Sequence, residues 1–122
     1  MLIDMAPGRF NLELYRGDTH SWQFSLWEDV ATQIPVDLAT VTPKAEIRDR
    51  SAGRVYATLT SVVTLPNLIL VTLSAMHCRG CPAEGVWDLQ LTYSNGEIHT
   101  VVAGSVVTIG DVTDSGSTVG NR

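Results

Sequence analysis

Hydrophobic and polar residues alternate with a period of two along most of the chain, the spacing of a strand with one face in a core. Residues 10–15 place Leu12 and Leu14 on one side and Asn11 and Glu13 on the other. Residues 21–26 turn Trp22, Phe24 and Leu26 inward, and residues 44–48 alternate again. Residues 54–60 bury either Val55, Ala57 and Leu59 or the opposite set. Residues 68–73 are apolar at nearly every position, the pattern of a strand covered on both faces. Residues 85–93 turn Trp87, Leu89 and Leu91 inward, with Asp88 and Gln90 outward.

Turn signals separate these segments. Arg16-Gly17-Asp18 and residues 49–53 read as turns, and Pro35 marks a sheet edge or a loop. Ser94-Asn95-Gly96 is the strongest hairpin signal, with a type I′ turn expected at Asn-Gly. It leads into a long strand over 97–109, expected to bend at Gly104. No segment sustains a helical period. Val and Thr together supply 27 residues, which suits strands. The expected fold is all-β, an immunoglobulin-like antiparallel β-sandwich of seven to eight strands, without the Cys…Trp…Cys signature of antibody domains. The expected organisation is an N-terminal arm over 1–9, the sandwich over 10–110 and a flexible polar tail over 111–122.

Composition narrows the function classes. With 44% hydrophobic and 17% charged residues, the 122-residue chain has enough apolar material for one core, so a disordered chain is excluded. A net charge of −5 argues against nucleic acid as a partner, because phosphate binding needs a basic face. Lys44 is the single lysine, so there is no polybasic membrane patch. Asp4 interrupts the first apolar stretch and no basic residue precedes it, unlike a signal peptide. No apolar run approaches the roughly 20 residues of a membrane span, so membrane insertion is not expected and the protein is expected to be made in a cytosol.

Candidate chemistry concentrates at His77-Cys78-Arg79-Gly80-Cys81. A Cys-x2-Cys turn presents two thiolates to zinc or iron, and His77 offers a third ligand. A structural site needs a fourth; His20 and His99 lie far away in sequence with nothing fixing their distance, and a symmetric oligomer would complete the shell by bringing copies together. The competing reading is a tight loop with reduced thiols or a local disulfide. His20, His77 and His99 lack a nucleophile signature, and the carboxylates show no spacing that fixes a pair across a cleft. Arg16-Gly17-Asp18 matches the integrin-recognition tripeptide, but a turn accounts for it. No catalytic residue and no cofactor is assigned. Trp27 lies out of phase with Trp22, Phe24 and Leu26, so it is the candidate contact with a partner protein or a sugar ring. Loss of alternation at a strand end explains the same position.

The order of segments carries a resemblance. Tyr15-Arg16-Gly17-Asp18-Thr19 leads into the Trp22 strand, followed by Pro35-Val36-Asp37-Leu38, Ala45-Glu46-Ile47-Arg48-Asp49 and Leu70-Val71-Thr72-Leu73-Ser74. Gly85-Val86-Trp87-Asp88-Leu89-Gln90-Leu91 and a late strand ending before Asp111-Val112-Thr113 complete it. This pattern resembles the small immunoglobulin-like β-sandwich domain of tailed-bacteriophage virion proteins, and is similar to the N-terminal domain of phage baseplate upper proteins. The resemblance implies a non-enzymatic structural protein of the tail, baseplate or tail-fibre attachment. Its partners would be other virion proteins, with repeated copies in a symmetric assembly, and its location the virion after assembly in the bacterial cytoplasm. A capsid cement or decoration protein is the alternative in the same class. A carbohydrate-binding module using Trp27 is the alternative outside it.

Overall fold

β-Branched and aromatic residues at alternating positions make this chain a strand former, and its strands pair into one continuous sheet. The computed structural model describes residues 2–4, 8–29 and 31–110. Its elements are β1 (Leu2–Asp4), β2 (Gly8–Arg9), β3 (Leu12–Tyr15), β4 (His20–Asp29), β5 (Ile34–Pro35), β6 (Thr42–Arg48), β7 (Val55–Thr64), β8 (Leu68–Leu73), α1 (Ala75–Arg79), β9 (Glu84–Thr92) and β10 (Ile98–Ile109). The sheet order is β1-β4-β8-β7-β6-β9-β10-β2, with β3 also on β10 and β5 on β4. The fold is all-β. No helix among the described residues is long and apolar enough to cross a membrane.

The sheet curls because β7 serves two neighbours. Its first half pairs with β6 (Leu59 opposite Ala45), and its second half pairs with β8, from Thr60 opposite Thr72 to Thr64 opposite Leu68. The half containing β4 and β8 therefore folds over the half containing β6, β9 and β10, and their inner faces meet. Phe24 of β4 lies 5.8 Å from Trp87 of β9, ring centre to ring centre, and Phe10 packs edge-on against Phe24 at 5.5 Å. Leu14, Leu26, Ile47, Ile69, Leu89 and Val102 are among the other residues of the core. The Trp87 Nε1–H donates to the Phe10 carbonyl at 2.6 Å, so the one polar atom of this large core ring is satisfied.

Several expectations change. Ten strands stand among the described residues against seven or eight expected, the additions being the short β1 and β2, while β5 is the edge segment expected at Pro35. Residues 2–4 and 8–9, read from sequence as an arm, are strands of the sheet, and β1, β2 and β3 all pair in parallel. Alternation shows which face a strand buries, but it carries no information on strand direction. Leu68–Leu73 is covered on one face only: Ile69, Val71 and Leu73 are buried while Leu70 is 42% exposed. Val55 is exposed, because a register shift leaves Tyr56 as an extra residue between the Val55 and Ala57 pairings. Ser94-Asn95-Gly96 forms a three-residue loop rather than a type I′ turn. The Gly96 N–H donates to Tyr93 O, Tyr93 N–H donates to Glu97 O, and only Gly96 takes a positive φ, of 91°.

The irregularity of β10 lies at Val101, where its pairing with β9 shifts, and not at Gly104. Gly104 is required for a different reason. The Phe10 N–H donates to Ala103 O and the Asn11 side chain accepts from Ser105 N, which presses the 10–11 backbone onto residue 104. A Cβ there would collide with the Phe10 carbonyl. Gly104→Ala is therefore expected to cost about 2 kcal/mol or more of unfolding free energy in a urea titration. An unchanged midpoint would show that the 10–11 backbone gives way freely.

Candidate functional site

The Cys-x2-Cys segment begins with Ser74, whose hydroxyl accepts from His77 N–H and caps the five-residue helix α1. This turn points Cys78 and Cys81 inward, leaving them 0% and 2% exposed. Cys78 Sγ donates to Tyr15 O at 3.3 Å and Cys81 Sγ to His77 O at 3.5 Å. The His77 residue is exposed, so the candidate trio does not converge. Among the described residues no three His, Cys, Asp or Glu side chains gather where they could hold a metal ion. Both cysteines are free thiols. Burial, reinforced by Cys78 and opposed by Arg16, pushes the Cys81 thiol up to about 11, which suppresses the reactive thiolate.

Arg16 fastens this segment to the sheet. Its Nη1 donates to Arg79 O at 2.8 Å and Cys81 O at 2.9 Å, meeting carbonyls at the end of α1. The Arg16-Gly17-Asp18 turn, with Gly17 at φ 90°, thus uses its guanidinium internally. His20 is similarly engaged: it stacks on Trp22 at 5.7 Å and accepts the Tyr15 N–H through Nε2. With both side chains enclosed and the Cys81 thiol pushed up, iodoacetamide at neutral pH is expected to leave Cys78 and Cys81 unmodified in the folded protein. Mass spectrometry should find two alkylations after unfolding in guanidinium; rapid labelling of the native chain would contradict the burial.

Trp27 faces outward with Gln23 and Ser25, as its phase predicts, but it is half-buried and its Nε1 is enclosed without a hydrogen-bond partner among the described residues. Its neighbours across the sheet are Asp4 and Pro35. The face beside it has an unusual composition. Three rows cross β4, β8 and β7: Ser21–Thr72–Thr60, Gln23–Leu70–Val62 and Ser25–Leu68–Thr64. None of these residues is charged, and Val62 and Leu70 in the central row are 51% and 42% exposed.

The outer face of the other half is the opposite. Lys44, Glu46 and Arg48 point outward from β6, and Asp88 and Gln90 from β9, with Glu46 directly opposite Asp88. Ala103 and Ser105 of β10 and Arg9 of β2 continue this surface into a groove of about 760 Å³. Arg48 Nη2 holds Glu46 at 2.8 Å while its Nη1 donates to Gly53 O, and Lys44 approaches Glu46 at 3.5 Å. Asp88 makes no ion pair among the described residues. Burial first, then the Glu46 carboxylate, raises its pKa, partly offset by Arg48 and Lys44. A carboxyl with a raised folded-state pKa binds its proton more readily in the folded state. Its ionisation therefore costs stability as pH rises through the folded pKa. Asp88→Asn is expected to raise the thermal midpoint at neutral pH, with the gain shrinking as pH falls into the carboxylate range. A lower midpoint for the variant at neutral pH would reverse the sign assigned here.

The sequence located the Cys-x2-Cys turn, its histidine and Trp27, but did not reveal the Glu46–Asp88 pairing. Those residues lie 42 positions apart, on strands that meet only through the order of the sheet. The available signal was weaker: charges at every second position of 44–48, and Asp88 and Gln90 outward in 85–93.

No family model matches this chain, and no curated protein matches it. Among solved structures, it is similar to the bradyzoite-specific antigen BSR4 of Toxoplasma gondii, at 14% identity and a TM-score of 0.36. The match covers 84% of this chain and 44% of that one, so the chain spans less than half the antigen's length.

Proposed function

We propose that this chain is a non-enzymatic structural protein of a tailed-bacteriophage virion, an immunoglobulin-like module that docks onto neighbouring virion proteins in the tail, baseplate or tail-fibre attachment. The uncharged outer face of β4, β8 and β7 is the observation that carries this reading. A chain with a net charge of −5 keeps nine outward positions in three adjacent rows free of charge, with Val62 and Leu70 exposed at the centre. Contact surfaces are depleted of charge at their centres in the same way.

The strand order supports the immunoglobulin-like part. Neighbours β4-β8-β7 on one side and β6-β9-β10 on the other match the B-E-D and C-F-G neighbour sets of a constant-type immunoglobulin sandwich. Here the two sets are joined through β7 into one curled sheet. The order of sequence segments supports the phage part, and a capsid decoration role would use the same face. Half-burial of Trp27 weakens the carbohydrate-binding reading at that residue, since a stacking platform needs an open ring face.

Mass spectrometry of purified phage particles carrying this gene provides the test. The protein is expected in a fixed copy number, and Val62→Glu with Leu70→Glu should leave a folded, soluble chain that no longer enters particles. Absence of the wild-type protein from complete particles would refute the reading.

A further inference from the structure

The charged groove lies on the half of the sheet that the docking face does not use. Three of the chain's eight basic residues line it, Arg9, Lys44 and Arg48, with Glu46 and Asp88 as its acids. Locally the balance is 3 − 2 = +1, in a chain whose total is −5. The charges are not equally committed. Glu46 is held between Lys44 and Arg48, whereas Arg9 and Asp88 enter none of the ion pairs formed among the described residues.

The register sets these free groups apart. Arg9 lies opposite Ala103, and Ala103 opposite Asp88, two inter-strand steps or about 10 Å across the face. Between them the floor is made of small residues, Ala103, Gly104 and Ser105, with Val86 on β9 and the Trp87 side chain directed into the core. No apolar pocket is offered for a hydrophobic side chain. Backbone groups under the groove are engaged with neighbouring strands, so a ligand here is recognised by side chains and not by strand addition. A guanidinium at one end suits an anion, while Asp88 offers only acceptors and Gln90 and the Ser105 hydroxyl accept or donate, a combination that a ligand rich in hydroxyls satisfies.

We propose that this groove binds an acidic oligosaccharide, its carboxylate on Arg9 and its hydroxyls donating to Asp88, Gln90 and Ser105. A polyhydroxylated anion supplies both chemistries within one short, flat molecule. A purely anionic peptide supplies charge for Arg9 but places carboxylates against Asp88. The Glu46–Asp88 juxtaposition fits this use: a carboxylate beside a like charge on an open face, in no ion pair among the described residues, is available as an acceptor. The inference is independent of the docking role, because it concerns the opposite outer face.

Isothermal titration calorimetry of the full chain with trigalacturonate tests it, with maltotriose and hexaglutamate as comparisons. Saturable binding of trigalacturonate is expected, weakened roughly tenfold by Arg9→Gln and by Asp88→Ala, and unchanged by Val62→Ser on the other face. Amide shifts confined to β2, β6, β9 and β10 in a nuclear magnetic resonance titration would support the same placement without any substitution. Absence of saturable binding would overturn the proposal. So would equal affinity for maltotriose, which removes the need for an acid, or for hexaglutamate, which reduces the groove to charge alone. Binding that survives Arg9→Gln unchanged would also overturn it.

Discussion

The indole of Trp87 holds the two halves of the curled sheet in register with the start of the chain. Its ring packs against Phe24 from the opposite half, while its N–H is bonded to the Phe10 carbonyl. A ring of this size gains by burial, but its N–H would carry a penalty of about 1–3 kcal/mol if left without an acceptor. Phe10 supplies that acceptor and also packs on Phe24. The same short stretch presses on Gly104 and bonds to Ala103, so the position of β3 beside β10 follows from how the core tryptophan is satisfied. The groove's far wall, Arg9, is one residue away.

Much of the fold was legible because burial on one face writes a period of two into the sequence. Leu12 and Leu14, Phe24 and Leu26, and Trp87, Leu89 and Leu91 all face the core as their spacing indicates. What the spacing does not encode is which strands become neighbours and in which direction. The parallel pairing of β3 with β10 joins residues more than 90 positions apart, and no local pattern marks it. The hairpin at Ser94-Asn95-Gly96 stands where the sequence predicts it but closes through a different turn, because Asn-Gly serves both a two-residue loop and a three-residue one. The choice was made by the Tyr93–Glu97 closure.

The candidate sites divide along the same line. Cys78, Cys81 and His77 were conspicuous because they are close in sequence, yet packing turns the thiols toward backbone carbonyls and leaves the imidazole outside. Glu46 and Asp88 were inconspicuous because they are far apart in sequence, yet the register sets them side by side. The chain thereby carries two outer faces of opposite character. One is uncharged and centred on Val62 and Leu70, the other polar and centred on the Glu46–Asp88 pair.

Sharing β7 between the halves has a consequence for how the molecule comes apart. In a sandwich of two separate sheets, one layer can loosen while the other keeps its backbone hydrogen bonds. Here the strand that ends one ladder begins the next, at Leu59 and Thr60, with no loop between them to absorb motion. Fraying of β8 from β7 changes the path of the backbone that β6 is paired to. The curled sheet thus behaves as one cooperative unit, in which local opening is confined to its outermost strands and rupture at its middle is global.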